Sequence, residues 1–247
     1  MGEAVLASLL AGLATGVGAL PILFLRKVSH KLRDSLLAFA AGVMVAASCF
    51  NLIVPALNEG TVLEVCLGII AGTIVLGIFE RYTPDMDYEK YFGNLEDEDV
   101  GRRAVLLITA ITLHNIPEGL AVGVGFASNA PGMGVALAIA IAVQNAPEGL
   151  VVAAPLVDTD MPSWKIIWLA TLTGLVEPIA AIFGSLLVRL TEAIIPFALS
   201  FSAGAMLYVV FKEMIPESHG HGYEDIATYS FVLGVVFMLA INYVFLV

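Results

Sequence analysis

The sequence predicts an all-α polytopic membrane protein with eight transmembrane helices, and three observations predict it. Of 247 residues, 59% are hydrophobic and only 13% charged, with a mean hydropathy of +0.93. That is well above a soluble domain. Several apolar runs reach the ~20 residues needed to cross a hydrocarbon layer of about 30 Å. These runs are continuously apolar, whereas barrel strands alternate within segments of about ten residues, so a β-barrel is excluded.

The spans fall at about 3–25, 35–57, 61–80, 104–127, 133–156, 164–189, 194–215 and 226–247. Glu3 precedes the first run and no basic segment does, so this run reads as a span rather than a cleaved signal peptide. Asn58-Glu59-Gly60 turns the chain between spans two and three. Asn129 to Gly132, Asp158 to Pro162 and Pro216 to Tyr223 mark later turns. Together the spans form a single transmembrane domain over 1–247, with one acidic loop at 81–103.

Charge sets the orientation. With both termini on one side, the odd-numbered loops hold Arg26, Lys27, Lys31, Arg33, Arg81, Lys90, Arg102, Arg103 and Lys165. Lys212 falls on that side too, and only Arg189 on the other. The positive-inside rule then puts both termini outside and the 81–103 loop in the cytoplasm. The net charge of −11 is concentrated, since eight of the 22 acidic residues lie between Glu80 and Asp99. Such a run is either a solvated connection or a metal-capturing loop. The expected partners are divalent metal ions and the lipid membrane, with no nucleic acid. Cys49 and Cys66, the only cysteines, both lie in or beside apolar runs, which argues against a disulfide framework or a thiolate zinc cluster.

Span two carries Phe39-Ala40-Ala41-Gly42-Val43-Met44 and then Pro55. Span seven carries Phe201-Ser202-Ala203-Gly204-Ala205-Met206 and then Pro216. The two spans cross in opposite directions, so the likeness predicts a 3+2+3 inverted repeat with spans four and five in the middle.

Those central spans carry the chemistry. One contains His114-Asn115-Ile116-Pro117-Glu118-Gly119-Leu120, the other Gln144-Asn145-Ala146-Pro147-Glu148-Gly149-Leu150. His114 lies 13 residues before the turn near 127 and Gln144 lies 11 after the turn near 133. At 1.5 Å per residue both sit roughly 16–20 Å below the same membrane face. Glu177 reaches a similar depth in span six and is also followed by proline, Pro178. A carboxylate there is costly unless it is paired or binds a cation.

Helical phase sharpens the expectation. Glu118 follows His114 by four and Asn115 by three, and Glu148 stands in the same relation to Gln144 and Asn145. Each glutamate can therefore bridge two adjacent metal positions. Imidazole, carboxylate and amide oxygen suit Zn²⁺, Fe²⁺, Mn²⁺ or Cd²⁺. Pro117, Pro147 and Pro178 free the carbonyls of Leu113, Val143 and Gly174, and a hydrated metal path can satisfy them. Gly119 and Gly149 permit close helix approach. Interhelical hydrogen bonding is the competing role for such polar side chains.

The paired motifs resemble the signatures of the ZIP (Zrt/Irt-like) divalent metal transporters, nearest to the GufA-type prokaryotic branch. The resemblance spans the chain, including Glu213-Met214-Ile215-Pro216-Glu217-Ser218-His219 at the end of span seven. It implies a binuclear centre. One site would use His114, Glu118, Gln144 and Glu148 with Met44, the other Asn115, Glu118, Asn145, Glu148 and Glu177. The family often has Asp at Asn145 and His at Lys212, so a weaker second site and an altered inner exit at Glu213 are expected. His219 and His221 are the replacement candidates. Members are often homodimers. The implied function is import of zinc, with iron, manganese or cadmium as alternative cargo, across the plasma membrane by alternating access. A channel-like permease and an intramembrane metalloenzyme are the rival readings. The chain has no His-Glu-x-x-His spacing, which disfavours the enzyme.

Overall fold

The computed structural model describes residues 1–24, 28–82, 98–128, 132–157 and 161–246. Among them the regular structure is entirely helical. Numbered in chain order, the α-helices are α1 (Gly2–Ala19), α2 (His30–Ala47), α3 (Val54–Glu59), α4 (Val62–Tyr82), α5 (Glu98–Ala127) and α6 (Met133–Ala153). They continue as α7 (Ser163–Gly174), α8 (Val176–Leu190), α9 (Ile195–Val209), α10 (Ile215–Ser218) and α11 (Glu224–Leu246).

Local sequence explains several boundaries. The Ser29 hydroxyl accepts from the Leu32 amide and caps α2. At α4 the Thr61 amide donates to the Glu64 carboxylate, and the Glu64 amide donates back to the Thr61 hydroxyl, which is a capping box. Gly132 takes φ 78° ahead of α6, in the left-handed region that glycine adopts without strain.

Among the described residues, seven helical stretches are long and apolar enough to cross a membrane: Gly2–Leu23, His30–Glu59, Val62–Arg81, Met133–Ala153, Ser163–Leu190, Glu192–Ser218 and Glu224–Phe245. The remaining long helix, α5, has 30 residues, an axial length of about 45 Å. Helices overrun the apolar limits read from sequence, since a helix keeps its backbone bonded in water as well as in lipid. Thus α5 starts at Glu98, inside the segment expected to be the acidic loop 81–103. Residues 83–97 of that loop lie outside the described residues, as do Arg26 and Lys27, so its suggested metal-capturing role does too.

Two of the stretches pass through π-helix. Between α2 and α3 the chain winds as a π-helix over Ser48–Ile53, and between α9 and α10 over Val210–Met214. In each, a proline (Pro55 or Pro216) follows at the start of the next helix and cannot donate its amide. Span six breaks at Leu175, between α7 and α8, which places Glu177 in the first turn of α8.

Burial sorts the bundle. Over the apolar 18-residue centres of the crossings built on α2, α6 and α9, 67% of residues are buried, against 22% for α4 and 17% for α11. The first three therefore line the interior and the last two flank it. The main packed pairs are α4 with α9, α2 with α11, α1 with α6 and α5 with α8. Lipid tails are as apolar as leucine, so such pairs depend on close approach of small residues. A Cβ on Gly42 would meet the Phe231 carbonyl of α11, and one on Gly204 the Ile69 carbonyl of α4.

Candidate metal centre

The site forms where α5, α6 and α8 meet. Both motif prolines are accommodated inside their helices, so each motif presents its polar residues at helical spacing. The motif glycines fix the contacts. A Cβ on Gly119 would meet the backbone of Glu177, and one on Gly149 the carbonyl of Thr15 on α1. Close packing at Gly119 thus brings Glu118 and Glu177 onto adjoining turns.

His114, Asn115, Glu118, Gln144, Asn145, Glu148 and Glu177 are all buried, most of them completely. The amides link carboxylates across helices. Gln144 Nε2 on α6 donates to Glu118 Oε1 on α5 at 2.6 Å. Asn145 Nδ2 donates to Glu177 Oε1 on α8 at 2.6 Å and to the Ala11 carbonyl on α1 at 3.0 Å. Asn115 Nδ2 donates to the Thr173 carbonyl of α7 at 2.8 Å, one residue before the last of that helix. The expected common depth of the two motifs and Glu177 is therefore met by direct contacts.

The unbonded atoms carry the chemical information. Asn115 Oδ1, Glu118 Oε2, Gln144 Oε1, Asn145 Oδ1, both Glu148 oxygens and Glu177 Oε2 are buried without a hydrogen-bond partner. All are acceptors. An unsatisfied buried polar atom costs about 1–3 kcal/mol, and more when charged. A shell of orphan oxygens is chemically suited to a cation and its waters. Among the described residues no three His, Cys, Asp or Glu side chains converge tightly enough to form a complete metal site by themselves. A metal position there would need amide oxygens or water as well as carboxylates.

Of the other sequence candidates, Met44 is fully buried on α2 within the apolar core. Glu213 reaches the centre's edge, with Oε2 3.0 Å from His114 Nε2. It sits in the π-helical turn, whose wider winding changes the direction of its side chain relative to a regular helix. His219 is occupied locally, with Nδ1 3.0 Å from both Ser218 Oγ and the Ile215 carbonyl. His221 lies elsewhere, with Nδ1 3.1 Å from Asp34 Oδ1.

Sequence reasoning missed His30, Asp34 and an amide pair, Asn51 with Asn242. Those two amides exchange hydrogen bonds of 2.9 and 2.8 Å between the π-turn after α2 and α11. The signal for Asp34 was present: it is the only acid in a run holding Arg26, Lys27, His30, Lys31 and Arg33.

Comparison with known proteins adds an independent line. The family model described as ZIP zinc transporter matches residues 92–242. A zinc transporter GufA of Myxococcus xanthus is 40% identical over 98% of this chain and 98% of its own. Zinc transporter ZIPB of Bordetella bronchiseptica is 36% identical over 98% of this chain and 81% of its own. Zinc transporter ZupT of Chlorobaculum parvum is 32% identical over 94% of this chain and 93% of its own.

Proposed function

The chain belongs to the ZIP zinc transporter family, and we propose that it moves zinc into the cytoplasm through the shell of buried acceptor oxygens on α5, α6 and α8. It is a multi-pass membrane protein, which in a bacterium means the plasma membrane. The observation that carries the proposal is the set of partnerless oxygens on Asn115, Glu118, Gln144, Asn145, Glu148 and Glu177. A cation satisfies them together, and the imidazole of His114 adds a borderline donor that favours zinc over calcium or magnesium.

The finer mechanism follows from the donor set. Glu118 and Glu148 bridge two metal positions, one reached by His114 and Gln144, the other by Asn115, Asn145 and Glu177. Met44 completes the first from α2. Iron, manganese and cadmium fit the same donors and are the secondary cargo. Amide oxygens and water make each position weak enough to release its metal, as transport requires.

Eight crossings arranged 3+2+3, with termini outside, give that centre two-sided access. Support for the repeat comes from paired packing. As α2 packs on α11, α9 packs on α4; as α1 packs on α6, α8 packs on α5. The first members of two such pairs, α2 and α9, both pass into π-helix before a proline. Rocking of one half against the other then exposes the centre alternately to each side.

Proteoliposomes loaded with purified protein test the proposal. Zinc added outside should accumulate inside faster than in empty vesicles. No accumulation by a correctly folded wild type would rule the transport reading out.

A further inference from the structure

A second cluster of metal-ligating side chains lies away from the centre, at the start of α2. Asp34 is 1% exposed. One of its oxygens, Oδ1, is 3.1 Å from His221 Nδ1, while Oδ2 is buried with no hydrogen-bond partner. The ring of His30 stacks on that of His221, with centroids 4.3 Å apart. Among the described residues no Lys or Arg pairs with Asp34. Arg33 instead reaches across to Glu217, with Nη2 2.5 Å from Oε1. His219 is committed to Ser218 and Ile215. A buried carboxylate thus keeps an unmet oxygen beside an imidazole, one turn from a second imidazole on the same helix.

We propose that Asp34 and His221 form a separate divalent-cation site at the inner mouth of the bundle, taken by zinc after it leaves the central carboxylates. One carboxylate and one neutral imidazole are good zinc donors, and water completes the coordination. Two protein ligands hold the metal loosely, which suits a position that must pass it on. His30 acts as a positioning residue, holding the His221 ring by stacking. Asp34 precedes Met44 by ten residues on one helix, about 15 Å along its axis. The site is therefore a distinct stop, too far from the centre to share a metal with it. The sequence places the Arg26–Arg33 segment and the 216–223 turn on the same, cytoplasmic, side.

The role in release rests on the transport reading, whereas the binding itself does not, and the test separates them. Full-length protein carrying Glu118→Ala and Glu148→Ala is purified in detergent and dialysed against zinc chloride. About one zinc should remain bound, with an imidazole in its X-ray absorption spectrum. Adding His221→Ala, in an exposed turn, should remove that zinc and the imidazole signature; Asp34→Asn should do the same. His30→Ala should weaken binding without removing it. In protein with an intact centre, His221→Ala should lower zinc stoichiometry by one. Absence of residual zinc from the doubly substituted protein, or retention of it after His221→Ala, overturns the site. A wild type that binds zinc here but transports none would instead overturn the transport reading.

Discussion

The two copies of the polar motif are near-identical in sequence yet differently employed. On α5, Asn115 spends its amide on the Thr173 carbonyl, and His114 faces Glu213. On α6, both amides reach to carboxylates of other helices, Gln144 to Glu118 and Asn145 to Glu177. The α6 copy therefore pins the other helices' acids, while its own Glu148 keeps both oxygens without partners. One substitution, His114 against Gln144, separates an imidazole donor on α5 from an amide clamp on α6. On the proposed function, α5 supplies the imidazole ligand and α6 the organising amides.

The largest effects should come from the glutamates, which the comparison makes equally necessary. Glu118→Ala and Glu148→Ala should each reduce zinc uptake in proteoliposomes to the background of empty vesicles, with unchanged yield of monodisperse protein. Near-normal uptake by either variant would break the bridging assignment. Glu148 is the sharper case, because no other side chain holds it and its loss should cost the fold least.

His114 against Gln144 comes next. His114→Gln makes the two copies alike and removes the one imidazole, so zinc affinity should fall by about 10–100-fold, the usual cost of degrading a metal ligand or its support. Gln144→His makes them alike in the other direction. It removes the hydrogen bond to Glu118 but adds a nitrogen donor, so affinity should hold or rise. Isothermal titration in detergent distinguishes them. Equal weakening by both changes would mean that the clamp matters as much as the ligand.

How much of this the sequence revealed depends on what kind of signal each feature leaves. The helices and the shared depth of Glu118, Glu148 and Glu177 were legible because hydropathy and a 1.5 Å rise need only local sequence. The hydrogen bond from Asn145 to Glu177 was not. It depends on how α6 is rotated against α8, and both Gly119 and Gly149 admit more than one partner. The approach of Glu213 to His114 is not legible in the sequence, because the side-chain direction depends on the π-helical turn Val210–Met214. Asp34 was hidden among basic neighbours whose natural pairing would be with it. Only the structure shows Arg33 turning to Glu217 instead.

Asn145→Asp tests the second position more gently. The change removes the amide that now bonds Glu177 and adds a carboxylate to the shell. Without metal the variant should be less stable, since two acids would face each other. With zinc it should gain more stability than wild type, because a ligand that binds only the folded state stabilises it by an amount that rises with the logarithm of its affinity. A larger zinc-induced rise in Tm is the expected reading. No difference from wild type would place Asn145 outside the metal's reach.

The smallest effect should come from the amide pair that lies off the motifs. Asn51 and Asn242 bond each other reciprocally, and neither joins a carboxylate. If polar side chains in this bundle were merely interhelical glue, this pair and Asn145 would behave alike. A double-mutant cycle with Asn51→Leu and Asn242→Leu should return a coupling of about 0.6 kcal/mol, the usual size of such a bond within a membrane. Zinc affinity should stay unchanged in all three variants, while Asn145→Leu should lower it. Equal loss of zinc binding from both places would reduce the central amides to packing. A loss confined to Asn145 would identify the orphan oxygens around it as the reason that polar groups are buried in the core of this bundle.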